Sequence, residues 1–268
     1  MRFSINSLVN KSLLNEADEI QIHLSEIKHM TKYILEHKEK RFVFLITNKI
    51  EENELDSIIK YIKNKLQLTN YTFSVSLNKM LHLIKTKNIP FYSDYIITDF
   101  ETLYETIKLG VSDVVIGGQL GFYGKTLEKI KKDFNINIRV LVPSVTNLIN
   151  ENYLLNEKSF FILPKDIDLY SEFIDIMDFS PRINIKEEEV LFNIYKKQEY
   201  DFSLKDLVKG LSNLDVPVFM IPKNFGLMRY NCEQKCFKEM LVSNKACAYC
   251  SSAIELAKNL NKTISSTF

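Results

Sequence analysis

Short runs of β-branched and aromatic residues alternate along this chain with longer stretches of helical periodicity. That alternation restricts the fold to the α/β classes. Predicted strands lie at residues 20–24, 42–47, 72–77, 95–98, 113–116, 137–142, 160–163, 174–179 and 218–221. Between them, Leu55, Ile58, Ile59, Ile62 and Leu66 recur at spacings of three and four on one helix face. Ile27, Met30, Ile34 and Leu35 form a similar stripe, as do Leu127, Ile130 and Phe134. The runs 42–46 and 114–116 are apolar at every position, the pattern of a strand covered on both faces in a parallel sheet. Eight or nine such strands fit a (β/α)8 barrel of the TIM type. A doubly wound open sheet has the same local pattern, and periodicity does not separate the two.

The alternation thins after Phe179, and residues 181–215 read as mainly helical. Two units are therefore expected: a TIM-like α/β barrel over residues 1–222, and a four-cysteine metal-binding tail over 223–268 packed on it.

Hydrophobic residues make up 46% of the 268 positions and charged residues 26%, which excludes disorder. The formal net charge of +1 gives no global field for nucleic acid or an anionic membrane. No apolar run approaches the roughly 20 residues needed to cross a bilayer. Met1-Arg2-Phe3 runs directly into polar residues, without the apolar core of a secretion signal. A cytoplasmic chain with reduced thiols is the resulting expectation.

Reduced thiols matter because all four cysteines fall between Cys232 and Cys250, in the spacing Cys232-x3-Cys236-x10-Cys247-x2-Cys250. Two close pairs separated by a short excursion can bring four thiolates to one point. Tetrahedral sulfur suits zinc and also an iron–sulfur cluster. The first pair has the i, i+4 spacing of one helix face. The second precedes Ser251-Ser252, which can cap a final helix. Spacing alone does not choose between the two cofactors, and zinc in a structural clamp is the commoner outcome.

Five of the seven glycines lie between Gly110 and Gly124. A strand, a loop with Gly117, Gly118 and Gly121, and a helix opening at Gly124-Lys125-Thr126 resemble a phosphate-binding turn. The P-loop spacing is not met, because Gln119 stands where its first glycine belongs. The dinucleotide fingerprint fails too, since Asn137, Ile138 and Arg139 occupy the place of its ribose-binding acid. A tight turn needing positive φ angles accounts for these glycines without a ligand.

In a barrel, chemistry sits at the C-terminal ends of the strands. Asn48, Asp99, Gln119, Ser144, Asp178 and Arg182 are expected there. Arg139 lies inside a strand and, if it points inward, is a candidate anion or carboxylate binder. Asp99 is a candidate base or metal contact, but capping the following helix is the favoured role, with Thr98 as the other candidate cap. His23 is the one conceivable catalytic imidazole, while His29 and His37 read as helix-surface residues. No serine elbow or His-Glu-x-x-His motif is present, so hydrolysis by those routes is not supported.

The stretch from Asp94 to Val145 resembles the collagenase-like U-type peptidase family. The residues that carry this are Phe100-Glu101-Thr102-Leu103-Tyr104-Glu105-Thr106-Ile107-Lys108-Leu109-Gly110, then Val111-Ser112-Asp113-Val114-Val115-Ile116-Gly117, and later Ile138-Arg139-Val140-Leu141-Val142-Pro143. The resemblance implies a TIM-like barrel. Some members are hydroxylation factors holding a four-cysteine iron–sulfur cluster, which implies a small molecule or an RNA base as the partner. The family's cysteines are spread through the barrel, whereas here they all follow residue 231. In overall look the chain is also similar to phage-encoded proteins. That leaves three functional classes: a metal-binding barrel assisting modification of a small molecule or RNA, a non-enzymatic binding or assembly protein with structural zinc, and a phosphate or nucleotide binder at the glycine loop.

Overall fold

The computed structural model describes residues 1–76, 78–117, 120–121, 123–142, 164, 167–179 and 185–197. Within them, strands and helices alternate in chain order. The strands are β1 (Arg2–Asn6), β2 (Glu19–His23), β3 (Arg41–Ile46), β4 (Tyr71–Val75), β5 (Phe91–Ser93), β6 (Ile96–Ile97), β7 (Asp113–Ile116), β8 (Asn137–Leu141) and β9 (Ile176–Asp178). The helices are α1 (Lys11–Glu16), α2 (Ile27–Glu36), α3 (Glu52–Lys60), α4 (Asn78–Thr86), α5 (Phe100–Lys108), α6 (Gly124–Phe134), α7 (Ile167–Tyr170) and α8 (Ile185–Lys197). A 3-10 turn over Leu24–Glu26 precedes α2, and α3 continues as a π-helical stretch, Tyr61–Leu66.

All pairings are parallel, and the sheet order is β5-β4-β3-β2-β1-β9-β8-β7-β6. Its two ends are one stretch of chain interrupted at Asp94-Tyr95, so the ring of pairings nearly closes through that kink. The Ser112 N–H donates to Phe91 O at 2.7 Å and the Gly117 N–H to Ile97 O at 2.9 Å, tying both halves to the β7 side. Nine strand segments thus occupy eight positions around a barrel. The doubly wound alternative is excluded, because such a sheet stays open and reverses its order at a switch point.

The outer wall follows from the apolar runs. Ile5, Ile20, Ile22, Phe42, Phe44, Phe73, Val114, Ile116, Ile138, Val140 and Met177 are all essentially buried. Burying each large side chain stabilises by roughly 1.5–3 kcal/mol, an upper figure because the unfolded chain is not fully extended. Phe3 of β1 and Phe192 of α8 meet Phe179 edge-on or tilted, with ring centroids 5.7 Å away in each case. Helix stripes behave as the periodicity predicts except in the last turns. Ile27, Ile34, Leu127 and Ile130 are buried, but Leu35 and Phe134 are 41% and 49% exposed.

Two strands escape the sequence reading, β1 and β5. In β1 the residues Arg2, Ser4 and Asn6 alternate with Phe3 and Ile5, and the polar set is the one facing the barrel interior. β5 is only three residues long. The strand predicted at 95–98 shortens to Ile96–Ile97, and the helix-rich stretch 181–215 is described only as α8. The strands predicted at 160–163 and 218–221, the boundary after residue 222 and the cysteine tail lie outside the described residues. No helix among the described residues is long and apolar enough to cross a membrane.

Candidate functional site at the strand ends

TIM barrels normally fill their interior with branched aliphatic side chains. Here the interior carries charge. Arg41 of β3 reaches across to Asp113 of β7 with both terminal nitrogens, each at 2.8 Å, and donates to Glu19 of β2 at 2.9 Å. Arg139 of β8 donates to Glu19 at 2.6 Å, to Asp113 at 3.1 Å and to Asp178 of β9 at 2.8 Å. β2 and β8 are not neighbours in the sheet, nor are β3 and β7, so these bonds meet across the enclosed space. The Gln21 amide adds bonds to Ser4 Oγ at 3.0 Å and to Asp178 Oδ2 at 2.7 Å. The Arg139 guanidinium lies 4.6 Å from the centre of the Tyr92 ring, and its Nε has no hydrogen-bond partner among the described residues.

Charge states follow from these contacts. Burial pushes the Asp113 carboxyl up, but Arg41, Arg139 and the hydrogen bonds from Arg41 and Asn137 outweigh it and hold the group down to about 2. Burial opposes the Arg139 charge, yet Glu19 and the other surrounding acids raise its pKa well above the ordinary value. Burial pushes the Tyr92 hydroxyl far upward.

Above this floor lie the C-terminal ends of the strands. Ser7, just past β1, donates to Glu26 at 3.1 Å and links the β1 end to the turn after β2. Beyond it a recess of about 300 Å³ opens over the ends of β2 and β3. Its polar lining is His23, Ser25, Thr47, Asn48, Lys49 and Glu54, over a floor that includes Leu45 and Ile58. That volume is at the lower end for small-molecule sites.

No family model matches the chain, and no curated protein does. Two solved structures are similar. One is the U32 peptidase Mk0906, 10% identical, with a TM-score of 0.44 over 66% of this chain and 92% of that one. The other is a glycerol uptake operon antiterminator regulatory protein from Listeria monocytogenes strain 4b F2365, 8% identical, with a TM-score of 0.40 over 68% of this chain and 94% of that one. Likeness at this level transfers no activity.

The structure distributes the sequence candidates over distinct environments. Arg139 and Asp178 come together in the interior. His23 lines the recess with Asn48. Asp99 stands apart, capping α5: its carboxylate accepts from the Thr102 N–H and hydroxyl, each at 2.8 Å. Those hydrogen bonds hold the Asp99 carboxyl below its ordinary range. Of the glycine loop, Gly117 follows β7, Gly121 is buried, and Gly124 and Lys125 open α6. Gly117 does not need a positive φ, contrary to expectation; a Cβ there would meet Ile96 Cγ2 at 2.4 Å, so close approach to that side chain excludes anything larger. Positive φ occurs instead at Gly110, 79°, after α5. Gly118, Gln119, Ser144, Arg182 and the cysteines Cys232, Cys236, Cys247 and Cys250 lie outside the described residues. Among the described residues no group of three or more His, Cys, Asp or Glu is placed to hold a metal.

Sequence reasoning missed most of the charged interior. Arg2, Glu19, Arg41, Asp113 and Asn137 are each the first residue of a strand. A polar residue recurring at strand entries was the available signal. Glu188 was missed as well. It sits within Lys186-Glu187-Glu188-Glu189, which reads like a solvated helix start, yet it is 1% exposed.

Proposed function

We propose that this chain is a barrel protein that binds a small polar molecule at its strand-end mouth, assisted by zinc or an iron–sulfur cluster held by Cys232, Cys236, Cys247 and Cys250. The observation that carries the reading is the recess over β2 and β3 with its convergent His23, Asn48, Lys49 and Glu54. It occupies the face where barrels place their chemistry, and it presents donors and acceptors together above an apolar floor. A free metabolite or a flipped-out RNA base has the matching chemistry. The cysteine spacing supports the cofactor, because only a metal or cluster gives four clustered thiols in a reduced compartment a common task.

The test has two parts. Saturation-transfer NMR with a set of polar fragments and free nucleobases should find binders to the full chain. Asn48→Leu and Glu54→Leu should weaken them by tenfold or so, the worth of one lost polar contact of about 1.4 kcal/mol. No binder, or binders indifferent to both changes, would remove the recess from the proposal. Elemental analysis and absorption spectra on chain purified without oxygen should show about one zinc or about four iron with matching sulfide. Cys247→Ser should lose that metal and melt earlier, since metal-binding energy at such a site is folding energy. Unchanged metal and melting would remove the cysteine site.

A non-enzymatic binding role is the second reading. It is favoured by the interior, where Arg41, Arg139, Glu19 and Asp113 are committed to one another.

A further inference from the structure

The strand-end recess has an inner and an outer wall, and the two carry different chemistry. On β2, Glu19 and Gln21 reach the ion-paired interior, so His23, two residues further along, continues that inward face at the mouth. His23 is in register with Leu45 of β3, and both line the recess. The outer wall comes from the loop after β3 and the first turns of α3, with Lys49 from the loop and Glu54 and Ile58 from the helix. Lys49 and Glu54 thus bring opposite charges to one recess, yet among the described residues neither side chain has an ion pair or a hydrogen bond. The acids on either side of Glu54 along α3 are already paired: Glu52 and Asp56 both meet Lys87, at 2.6 and 2.8 Å. Lys49 and Glu54 are left for something that enters from solvent.

We infer that the recess takes a small zwitterion, an α-amino acid with an apolar side chain, its carboxylate toward Lys49 and its ammonium toward Glu54. The inference rests on the reading of this recess as a binding site and names the class of molecule bound there. Charge complementarity selects the class. A simple anion that meets Lys49 is repelled by Glu54, and a simple cation meets the reverse. A neutral molecule such as a nucleobase strips water from both charges and pairs with neither. A zwitterion satisfies both, and its own two charges gain charge-assisted partners for the water they leave. The apolar surface of Leu45, Ile46, Ile50 and Ile58 selects the side chain, since each methylene buried there strengthens binding. His23 adds a hydrogen-bonding imidazole from the interior side. A volume of about 300 Å³, at the lower end for ligand sites, matches a molecule of amino-acid size.

Titration of the full chain at neutral pH with L-leucine, L-isoleucine, L-methionine and L-phenylalanine, followed by saturation-transfer NMR, tests it. At least one should bind. Its two single-charge analogues, the acid without the amino group and the amine without the carboxyl, should each bind about tenfold or more weakly, the loss of one charge-assisted contact. For leucine these are 4-methylpentanoate and isopentylamine. Lys49→Gln should erase the advantage of the amino acid over its amine, and Glu54→Gln its advantage over its acid. Both positions are exposed, so the urea midpoint should not move in either variant. An amino acid that binds no better than its analogues overturns the inference, and so does binding that neither variant weakens. Neutral fragments that bind and depend on Asn48 and Glu54, with no amino acid bound, overturn the zwitterion and keep the recess as a site. No binder of any kind removes both.

Discussion

Asp113 on the barrel floor and Glu188 at its mouth are equally hidden from solvent, 0% and 1% exposed, yet their environments push them in opposite directions. Asp113 receives three guanidinium hydrogen bonds and one from the Asn137 amide, and is held down to about 2. Glu188 receives one backbone N–H and faces two acids, and is pushed up to about 8. Burial alone therefore does not decide the charge of an interior acid here; the partners do. The floor joins five strands through ion pairs, whereas Glu188 ties α8 to the end of β1 through one backbone N–H.

The sharpest way to break the contrast is Arg139→Met. It removes donors from Glu19, Asp113 and Asp178 at once while roughly keeping the volume. Leaving buried charges without partners costs about 3–5 kcal/mol, so urea unfolding should shift by that amount. A loss below about 1 kcal/mol would mean that the floor does not hold the barrel together.

The next test uses pH, and the two acids should move stability on opposite sides of neutrality. Glu188 has a folded pKa raised from 4.5 to about 8. Its contribution is fully present below the unfolded carboxyl's range and is lost as pH rises to about 8. Glu188→Gln should remove that decline and gain on the order of 4 kcal/mol at pH 8.5 relative to the parent chain. Asp113 has a folded pKa lowered from 3.8 to about 2. Its contribution is present above the unfolded value and is lost as pH falls toward 2. Asp113→Asn should flatten the acid limb by about 2 kcal/mol, beside a pH-independent loss from the broken pairs. Parallel pH profiles in the two variants would show that the partners do not set the two charges.

The outer wall was legible because its apolar runs are dictated by helices on one side, and local pattern reports that directly. The interior was not. Strands predicted to begin at residues 20 and 42 omit Glu19 and Arg41, since a charge ahead of an apolar run looks like a loop residue. Their role depends on Asp113 and Arg139, which arrive from the far side of the barrel. β1 was hidden for the same reason: its inward positions are Arg2, Ser4 and Asn6, the reverse of an aliphatic-filled barrel. Glu188 becomes buried only because α8 packs on β1, a pairing 182 residues apart along the chain that no local window contains. Asp99 was legible as a cap because capping is local, three residues from acceptor to donor.

Asp99 supplies the smallest effect and a third term in the comparison. It is an exposed acid at the barrel mouth with no ion pair among the described residues, and its carboxyl is lowered mainly by the Thr102 N–H at the start of α5. If partners set the behaviour of these acids, a purely local partner should give a purely local cost. Asp99→Ala should destabilise by about 1 kcal/mol, and Asp99→Ser, which keeps an acceptor for the Thr102 N–H, should recover most of it. Fragment binding at the recess should be unchanged in both, because the recess draws on β2, β3 and α3 rather than α5. Loss of binding in Asp99→Ala with binding restored by Asp99→Asn, but not by Asp99→Ser, would instead place Asp99 against the ligand and extend the site around the mouth to β6.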